Sequence, residues 1–277
     1  MQHLIVPVDG STESWRVVDL ALELARHCSG RIELVEVVFE EEAAQQAEQR
    51  LAAGLAERGP RDVEVTCSVE LTDGSVAAAM CEVVASRPSP TVVMASRGQG
   101  RSAALLGSVA EDMLGCVDGP IVIVGPQAGV PDLTGPIIVT VDGSDTSEAA
   151  IPTAAAWSLE LGVTARVVQV VPKRNERSTD GDELAYVTSL AGRFSTLAGR
   201  SAEAELLFGR DIEAAVAEYA ASIGASLIVT STHGRSGTSR FVLGSTASGF
   251  VRTAPCPVLT IRPKHYARTG SASTTST

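Results

Sequence analysis

The sequence predicts an α/β protein that consists of two tandem units, each with a doubly wound parallel sheet of five strands. The first observation is an internal repeat, because "LIVPVDGSTESW" near the start returns as "IIVTVDGSDTSE" at 137–148. The second is that short apolar runs alternate with longer helical patterns, which favours right-handed βαβ crossovers. The third is a composition of 44% hydrophobic but only 4% aromatic residues, which suits strands of Val, Ile and Leu buried on both faces.

In the first unit, the strands are short runs rich in Val, Ile and Leu, beginning with "HLIVPV" and "RIELVEVV". They are predicted at 3–8, 31–38, 63–71, 91–96 and 120–125. The longer stretches between them carry helical patterns. The helices are predicted at 12–28, 40–58, 75–87 and 107–117.

The second unit repeats the same order of elements. Its strands are predicted at 136–142, 165–171, 201–209, 226–232 and 257–263. Its helices are predicted at 146–161, 182–198, 211–223 and 244–254. The final strand of each unit is short, apolar and preceded by proline. Because an unpaired edge is a liability, the two final strands are expected to pair across a pseudo-twofold axis.

The length of 277 residues is comfortable for two ordinary domains. The first domain is assigned to 1–127 and the second to 136–264. The stretch "PQAGVPDLTG" contains two prolines and two glycines, so residues 128–135 are predicted to be a linker. The small, polar tail 265–277 is expected to be disordered.

Charge and cysteine content narrow the classes of function. The net charge is −11 with no basic block, so no nucleic-acid partner is expected. No apolar run is long enough to span a membrane, and no signal-peptide pattern is present, so a cytoplasmic protein without membrane contact is expected. The five cysteines are far apart and form no CxxC pair, which indicates neither a zinc site nor a disulfide framework.

Two aspartates occupy equivalent places in the repeat. Asp9 and Asp142 each follow an apolar strand and precede Gly-Ser. This is the carboxyl end of the first strand of each unit, where ligands bind in open α/β sheets. Asp-Gly is also a common turn pair, so a shared turn is the alternative. The duplication favours a functional role without excluding the turn.

The stretch "STHGRSGTSRFVLGST" at 231–246 links the fourth strand of the second unit to its last helix. Gly234 and Gly244 are separated by nine residues. Glycines let backbone N–H groups approach an anion, and a helix N-terminus adds a positive dipole end. Ser245 can either cap the helix or bind a phosphate oxygen. The pattern is typical of a phosphate-binding loop, and an ordinary glycine-containing connection is the alternative.

The corresponding stretch of the first unit, "ASRGQGRSAALLGSV", is shorter. Only eight residues, Gln99 to Leu106, separate Gly98 from Gly107. A one-residue deletion shifts backbone N–H groups by about 3.5 Å, which exceeds the tolerance of a hydrogen bond. Gly100 gives the loop freedom to close again. The deletion therefore predicts unequal ligand binding by the two units.

Motifs of established enzyme classes are absent from the sequence. The chain has no Walker A lysine, no GxGxxG in a first βα turn, no HExxH and no GxSxG. His233 lies beside the proposed phosphates, where it could assist hydrolysis, and Arg97 is its counterpart in the first unit. A polar loop or ligand-contact role is favoured. No catalytic residue and no resident metal site are therefore assigned, and at most weak hydrolysis of a bound phosphate compound is expected.

These features resemble the universal stress protein family over 3–125 and 136–263. The resemblance rests on the strand-terminal Asp, on a G-x2-G-x9-G-[ST] pattern and on the final "APCPVLTI". It implies a strand order of 3-2-1-4-5 and, as in many members, ATP or AMP bound between the first and fourth strands. The first glycine of the pattern is replaced by Ser231 in the second unit and by Ala95 in the first.

The resemblance also implies ligand contacts at matched positions. In the second unit they are Thr140, Val141, Asp142 and Val170 for adenosine, Thr230, Ser231 and Gly234 for ribose and phosphates, and Gly244, Ser245 and Thr246 for phosphate. In the first unit they are Pro7, Val8, Asp9, Val37, Met94, Ala95, Gly98, Gly107, Ser108 and Val109.

The leading hypothesis is a tandem universal stress protein that binds ATP, accompanied by Mg²⁺, as a sensor or regulatory module in a stress response. ATP or AMP is the expected partner, the second unit is the favoured site, and binding by the first unit stays open. The alternatives are a slow ATP hydrolase or phosphotransferase and a nucleotide-free dimerisation scaffold. The halves are expected to pair within one chain, and a homodimer is left open.

Overall fold

A computed structural model of the chain describes residues 2–59, 62–98, 106–129, 132–171, 180–232 and 243–262. Strands and helices alternate through these ranges, which confirms the predicted α/β class. The first unit comprises β1 (His3–Pro7), α1 (Thr12–Cys28), β2 (Arg31–Val38), α2 (Glu41–Arg58), β3 (Glu64–Leu71), α3 (Val76–Ala85), β4 (Pro90–Ala95), α4 (Ser108–Cys116) and β5 (Ile121–Val124). The second comprises β6 (Ile137–Thr140), α5 (Asp145–Glu148), α6 (Ile151–Leu161), β7 (Ala165–Val171), α7 (Asp180–Ala198), β8 (Ala202–Phe208), α8 (Ile212–Ser222), β9 (Leu227–Ser231), α9 (Ser245–Thr253) and β10 (Val258–Ile261).

The single helix predicted at 146–161 is wrong, because the structure has two helices there. The short helix α5 ends at Glu148, and α6 begins at Ile151 with Pro152 in its first turn. Proline has no N–H to donate to the carbonyl of Glu148, and its ring clashes with that carbonyl. The helix is therefore interrupted, whereas the matching α1, which has no proline, is continuous.

All strands in the described ranges join one sheet in the order β3-β2-β1-β4-β5-β10-β9-β6-β7-β8. Counted within each unit, the order is 3-2-1-4-5 in both halves, as the resemblance implies. Every pairing inside a unit is parallel. Parallel neighbours place the carboxyl ends of β1 and β4, and likewise of β6 and β9, at one edge of the sheet, which is where ligands bind in this class of fold.

The two units are joined by their final strands. β5 and β10 run antiparallel, with Leu259 opposite Val122. The hydroxyl of Thr260 donates a hydrogen bond of 3.1 Å to the backbone oxygen of Ile121 across the joint. This confirms the edge-to-edge pairing expected from the sequence, and it removes an exposed edge from each unit.

The two faces of the sheet are covered by different helices. One buried cluster includes Leu20 of α1, Leu51 of α2, Trp157 of α6 and Phe194 of α7. The other includes, from α3, α4, α8 and α9, the side chains of Met80, Met113, Val216 and Phe250. Each cluster draws on both units, so the units share their apolar packing as well as their sheet.

The connecting segment packs against this core. Ala128 is 1% exposed and Leu133 is 2% exposed, so the predicted linker 128–135 carries buried side chains at these positions. The predicted tail 265–277 lies outside the described residues. None of the helices in the described ranges combines the length and the apolar character needed to cross a membrane.

Cys81 of α3 and Cys116 of α4 form a disulfide, with their Cα atoms 6.2 Å apart. The expectation that no disulfide is present is therefore wrong. The two cysteines are separated by 35 positions and belong to different helices, so only the packing of α3 against α4 brings them together. Of the other cysteines, Cys28 and Cys256 are buried thiols and Cys67 is exposed.

Candidate functional site

The second unit has a cavity of about 270 Å³ at the carboxyl ends of β6 and β9, where α9 begins. The sequence predicted ten ligand-contact positions in this unit, and the structure brings nine of them to the cavity: Thr140, Val141, Asp142, Val170, Thr230, Ser231, Gly244, Ser245 and Thr246. The tenth, Gly234, lies outside the described residues. These nine residues belong to β6, β7, β9, α9 and the connections beside them, and they meet at one cavity.

The inner wall of this cavity is apolar. Val168 of β7, Val216 of α8 and Phe250 of α9 line it, and all three are almost fully buried. Ile212, at the start of α8, is 39% exposed and also lines the cavity. Sequence reasoning missed these residues, because α8 carries no binding motif and its apolar face looks like ordinary core. This wall is an apolar surface on which a flat ring of a ligand could pack, and it lies beside the polar end of the cavity.

Asp142 lies in a tight turn that also starts the next helix. Its Oδ1 accepts hydrogen bonds from the N–H of Ser144 at 3.0 Å and from the hydroxyl of Ser144 at 2.5 Å. Gly143 has a φ of 84°, a left-handed conformation that glycine adopts without strain. The turn role and the position at the cavity therefore occur together. The serine bonds hold the carboxylate in a fixed orientation at the cavity wall.

Helix α9 begins at the cavity with a glycine. The N–H of Gly244 donates to the oxygen of Thr232 at 2.8 Å, and a Cβ at position 244 would lie 3.1 Å from that oxygen. Gly244 is the N-cap and Ser245 is the first helical residue, so the option that Ser245 caps the helix is wrong. Ser245 instead lines the cavity with Thr246. The positive end of the helix dipole therefore lies at the cavity wall.

A half-buried tyrosine, Tyr186 of α7, lies near Asp142 and Glu148. Burial, together with the carboxylates of Glu148 and Asp142, raises the pKa of Tyr186 to about 12. The phenol therefore stays neutral at physiological pH. Its hydroxyl lies 3.1 Å from Oε1 of Glu148, to which it donates a hydrogen bond.

The first unit has a matching cavity of about 450 Å³. All ten positions predicted in this unit line it: Pro7, Val8, Asp9, Val37, Met94, Ala95, Gly98, Gly107, Ser108 and Val109. Asp9 repeats the turn of Asp142, because its Oδ1 accepts from the N–H of Ser11 at 3.0 Å and from its hydroxyl at 2.5 Å. Gly107 begins α4, and its N–H donates to Ser96 at 2.8 Å.

Two further features of the first cavity lie just after the end of β4. A Cβ at position 98 would collide with Oδ2 of Asp9, so glycine is required there for the carboxylate to approach the end of β4. Arg97 lines the same cavity, and its Nε is buried without a hydrogen-bond partner. The counterpart of Arg97, His233, lies outside the described residues.

The cavities differ in the hydroxyl groups that they present. At four matched positions the second unit has a hydroxyl and the first has none: Thr140 against Pro7, Thr230 against Met94, Ser231 against Ala95, and Thr246 against Val109. The second cavity thus offers more hydrogen-bond partners to a polar ligand. The loops of unequal length lie mostly outside the described residues, so the effect of the deletion stays a prediction.

The comparison with protein families decides the family of the chain. The model of the universal stress protein family matches residues 1–125 and, a second time, residues 134–262. The chain belongs to the universal stress protein family. A universal stress protein of Mycolicibacterium smegmatis is 27% identical over 282 residues, which cover 95% of this chain and 87% of that relative. A putative universal stress protein of Staphylococcus epidermidis is 30% identical over 138 residues, 46% of this chain and 82% of its own length.

Solved structures of universal stress proteins share the tandem fold. A crystal structure of one from Archaeoglobus fulgidus covers 95% of this chain and 98% of its own, with 19% identity and a TM-score of 0.72. A putative universal stress protein of Pseudomonas aeruginosa covers 95% of this chain and 94% of its own, with 17% identity and a TM-score of 0.62. These likenesses show that the tandem universal stress protein fold extends over nearly the whole chain.

Proposed function

We propose that this universal stress protein binds ATP in the cavity of its second unit and acts as a nucleotide-dependent sensor or regulatory module. The observation that carries the proposal is the convergence of Asp142, the end of β9 and the first turn of α9 on one cavity. A carboxylate, several hydroxyls and a helix N-terminus are the groups that a nucleotide needs within a short distance of each other.

Each part of the cavity suits a different part of the nucleotide. The apolar wall formed by Val168, Val216 and Phe250 suits the adenine ring. A carboxylate accepts hydrogen bonds and repels phosphate, so Asp142 suits the ribose hydroxyls or the adenine amino group. The hydroxyl of Ser245, with the helix N-terminus behind it, suits the phosphates.

Mg²⁺ is proposed to enter with the triphosphate. Among the described residues, no group of three or more His, Cys, Asp or Glu side chains could hold a metal ion. Magnesium in nucleotide sites commonly keeps several waters and binds chiefly through the phosphates. Phosphate oxygens and waters would therefore be the main ligands of the Mg²⁺ ion. The hydroxyls of Ser245 and Thr246 would lie near it.

The first unit is proposed to be the weaker ATP site. Its cavity has Met94, Ala95 and Val109 where the second has hydroxyls, so fewer hydrogen bonds reach ribose and phosphate. Arg97 supplies a positive charge at the same wall, which partly offsets that loss for an anionic ligand.

Isothermal titration calorimetry with ATP and MgCl₂ tests the location of the stronger site. Gly244→Glu puts a carboxylate and added bulk where the phosphates are proposed to lie, and it should weaken the tighter binding event at least about 100-fold. The matched control is Gly107→Glu at the start of α4, which should leave that event unchanged. Unchanged tight binding in a folded Gly244→Glu protein would place the nucleotide elsewhere.

Binding without rapid turnover is favoured over hydrolysis. Among the described lining residues, Asp142 is the carboxylate of the second cavity, and its Oδ1 already accepts two hydrogen bonds. A phosphate-release assay separates the two functions. Turnover that disappears in His233→Ala while ATP binding persists would establish a hydrolase instead.

A further inference from the structure

We propose that Cys81 and Cys116 of the first unit form a reversible thiol–disulfide exchange site whose co-reactant is a low-molecular-weight disulfide. The proposal concerns the wall of the first cavity and is independent of what that cavity binds. It rests on the accessibility of the pair, on its place in the fold and on its absence from the second unit.

The pair is geometrically suited to bonding and open to solvent. The Cα separation of 6.2 Å falls within the range of about 4.4–6.8 Å found for disulfides. Cys116 is exposed and Cys81 is half-buried, so a small reagent can approach the pair from the side of Cys116. Cys28 and Cys256 differ, because burial raises the pKa of each thiol to about 12, and these thiols are expected to stay unreactive.

The disulfide ties together the two helices on one side of the first cavity. Val76 and Met80 of α3 line that cavity, as does the first turn of α4 from Ser108 to Ala110. Cys81 follows Met80 directly, and Cys116 is the last residue of α4. Formation of the bond therefore fixes α3 relative to α4, and its reduction leaves the two helices held by side-chain packing.

The second unit provides a natural comparison. Its helices α8 and α9 occupy the places of α3 and α4, and the matching positions are Ala217 and Thr253. Each matching residue has the same rank in its helix, sixth in α8 and last in α9. A covalent tie between these helices is thus particular to the first unit, within the described residues.

The exchange balances as two consecutive thiolate attacks. The thiolate of Cys116 attacks one sulfur of the small disulfide RSSR, forming a Cys116–SR mixed disulfide and releasing RS⁻. The thiolate of Cys81 then attacks the Cys116 sulfur, closing the protein disulfide and releasing the second RS⁻. The two protons lost by the protein thiols go to the two RS⁻ groups, so the protein loses two electrons and RSSR gains two. The C-terminal end of α4 disfavours a thiolate on Cys116, so the first attack is expected to be slower than the second.

Redox equilibration tests the exchange itself. The full chain is equilibrated in buffers of oxidised and reduced glutathione at varied ratios, the free thiols are alkylated, and peptides are identified by mass spectrometry. Cys81 and Cys116 should lose alkylation together, at one ratio, and return together on reduction. In Cys116→Ser, Cys81 should remain alkylated or carry a single glutathione. A pair that stays alkylated at the most oxidising ratio, or stays bonded at the most reducing one, would overturn the proposal.

Hydrogen exchange tests the effect on the cavity wall. Amides of α3 and α4 should exchange at least about fivefold more slowly in the oxidised protein than in the reduced protein, while α8 and α9 serve as an internal control and do not change. The double variant Cys81→Ala, Cys116→Thr copies the second unit, and it should match the reduced protein in both buffers. Equal exchange of α3 and α4 in oxidised and reduced wild-type protein would contradict the role assigned to the disulfide.

Discussion

Asp9 and Asp142 show how one residue serves both the fold and the candidate site. Each carboxylate accepts two hydrogen bonds from the serine two positions on, Ser11 or Ser144, and each lines a cavity. The turn fixes the side chain before any ligand arrives. Such preorganisation reduces the entropy lost on binding.

Gly98→Ala should disturb this arrangement in the first unit. The added Cβ would collide with Oδ2 of Asp9, so the carboxylate must move. Because both residues are exposed, a destabilisation below about 1 kcal/mol is expected. Gly192→Ala is the matched control, because a Cβ there meets nothing within 4 Å and alanine favours a helix by about 1 kcal/mol. Urea unfolding should shift in opposite directions for the two variants, and equal shifts would contradict the close contact.

Acid should destabilise the protein through the cluster of His3, Glu33 and Arg87. The hydrogen bond from Arg87 lowers the pKa of Glu33 below its ordinary 4.5, and burial lowers the pKa of His3 below 6.5. Both folded-state values lie below the unfolded ones, so the stability that these groups contribute is present above the unfolded pKa and is lost as pH falls. The loss begins near pH 6.5 for His3 and near pH 4.5 for Glu33.

Glu33→Gln tests this pH dependence. The variant should be less stable than wild type at pH 7, because Arg87 loses its charged partner, and the difference should shrink as pH falls below about 4.5. Urea unfolding followed by circular dichroism at several pH values measures it. A difference that stays constant between pH 7 and pH 3 would show that the charge of Glu33 plays no part.

At the level of elements, α4 and α9, which follow the fourth strand of each unit, begin differently from α1, α3, α5 and α8. Ser11, Ser75, Ser144 and Asp211 cap α1, α3, α5 and α8 with side-chain hydrogen bonds. Gly107 and Gly244 begin α4 and α9 and have no side chain with which to cap them. Glycine thus leaves the first N–H groups of these two helices without a side-chain acceptor from the N-cap residue, which suits an anionic ligand.

Reduction of the Cys81–Cys116 disulfide should lower stability. The bond closes a loop across 35 positions, and a loop of this size contributes about 4 kcal/mol by restricting the unfolded chain. A reductant should therefore lower the melting temperature of the wild-type protein by several degrees. The double variant Cys81→Ala, Cys116→Thr should show no such decrease. An equal effect of the reductant on both proteins would assign it to another cysteine.

The sequence predicts elements well where the signal is local and poorly where it is tertiary. Apolar periodicity and the repeat place the strands and most helices. The motif residues that the structure describes converge in both units. Pro152 interrupts the helix predicted at 146–161. A proline is a local signal for a helix break, but the apolar periodicity across the whole stretch favoured one helix. The Cys81–Cys116 bond and the apolar wall at Val216 depend on how the helices pack. No sequence motif indicates either of them.

At the scale of the whole molecule, one sheet and two shared apolar clusters join the units. Leu259 is fully buried and lies opposite Val122 at the joint. Leu259→Ala should destabilise the protein by about 2–5 kcal/mol, whereas the exposed Leu71 should tolerate alanine. Since the core is continuous, unfolding should remain a single transition for both units. Two separate transitions, with only the second unit shifted, would contradict this shared stability.

The central proposal is that the two similar cavities of one chain bind ATP with unequal affinity, and that the cavity of the second unit binds it more tightly. Native mass spectrometry of the full chain titrated with ATP and Mg²⁺ tests it most directly, with Asp142→Ala and Asp9→Ala as matched variants. Asp142→Ala should lose the first, tighter ATP, with an affinity reduced about 10-fold or more, whereas Asp9→Ala should keep it. Tight binding that survives in Asp142→Ala and disappears in Asp9→Ala would contradict the claim.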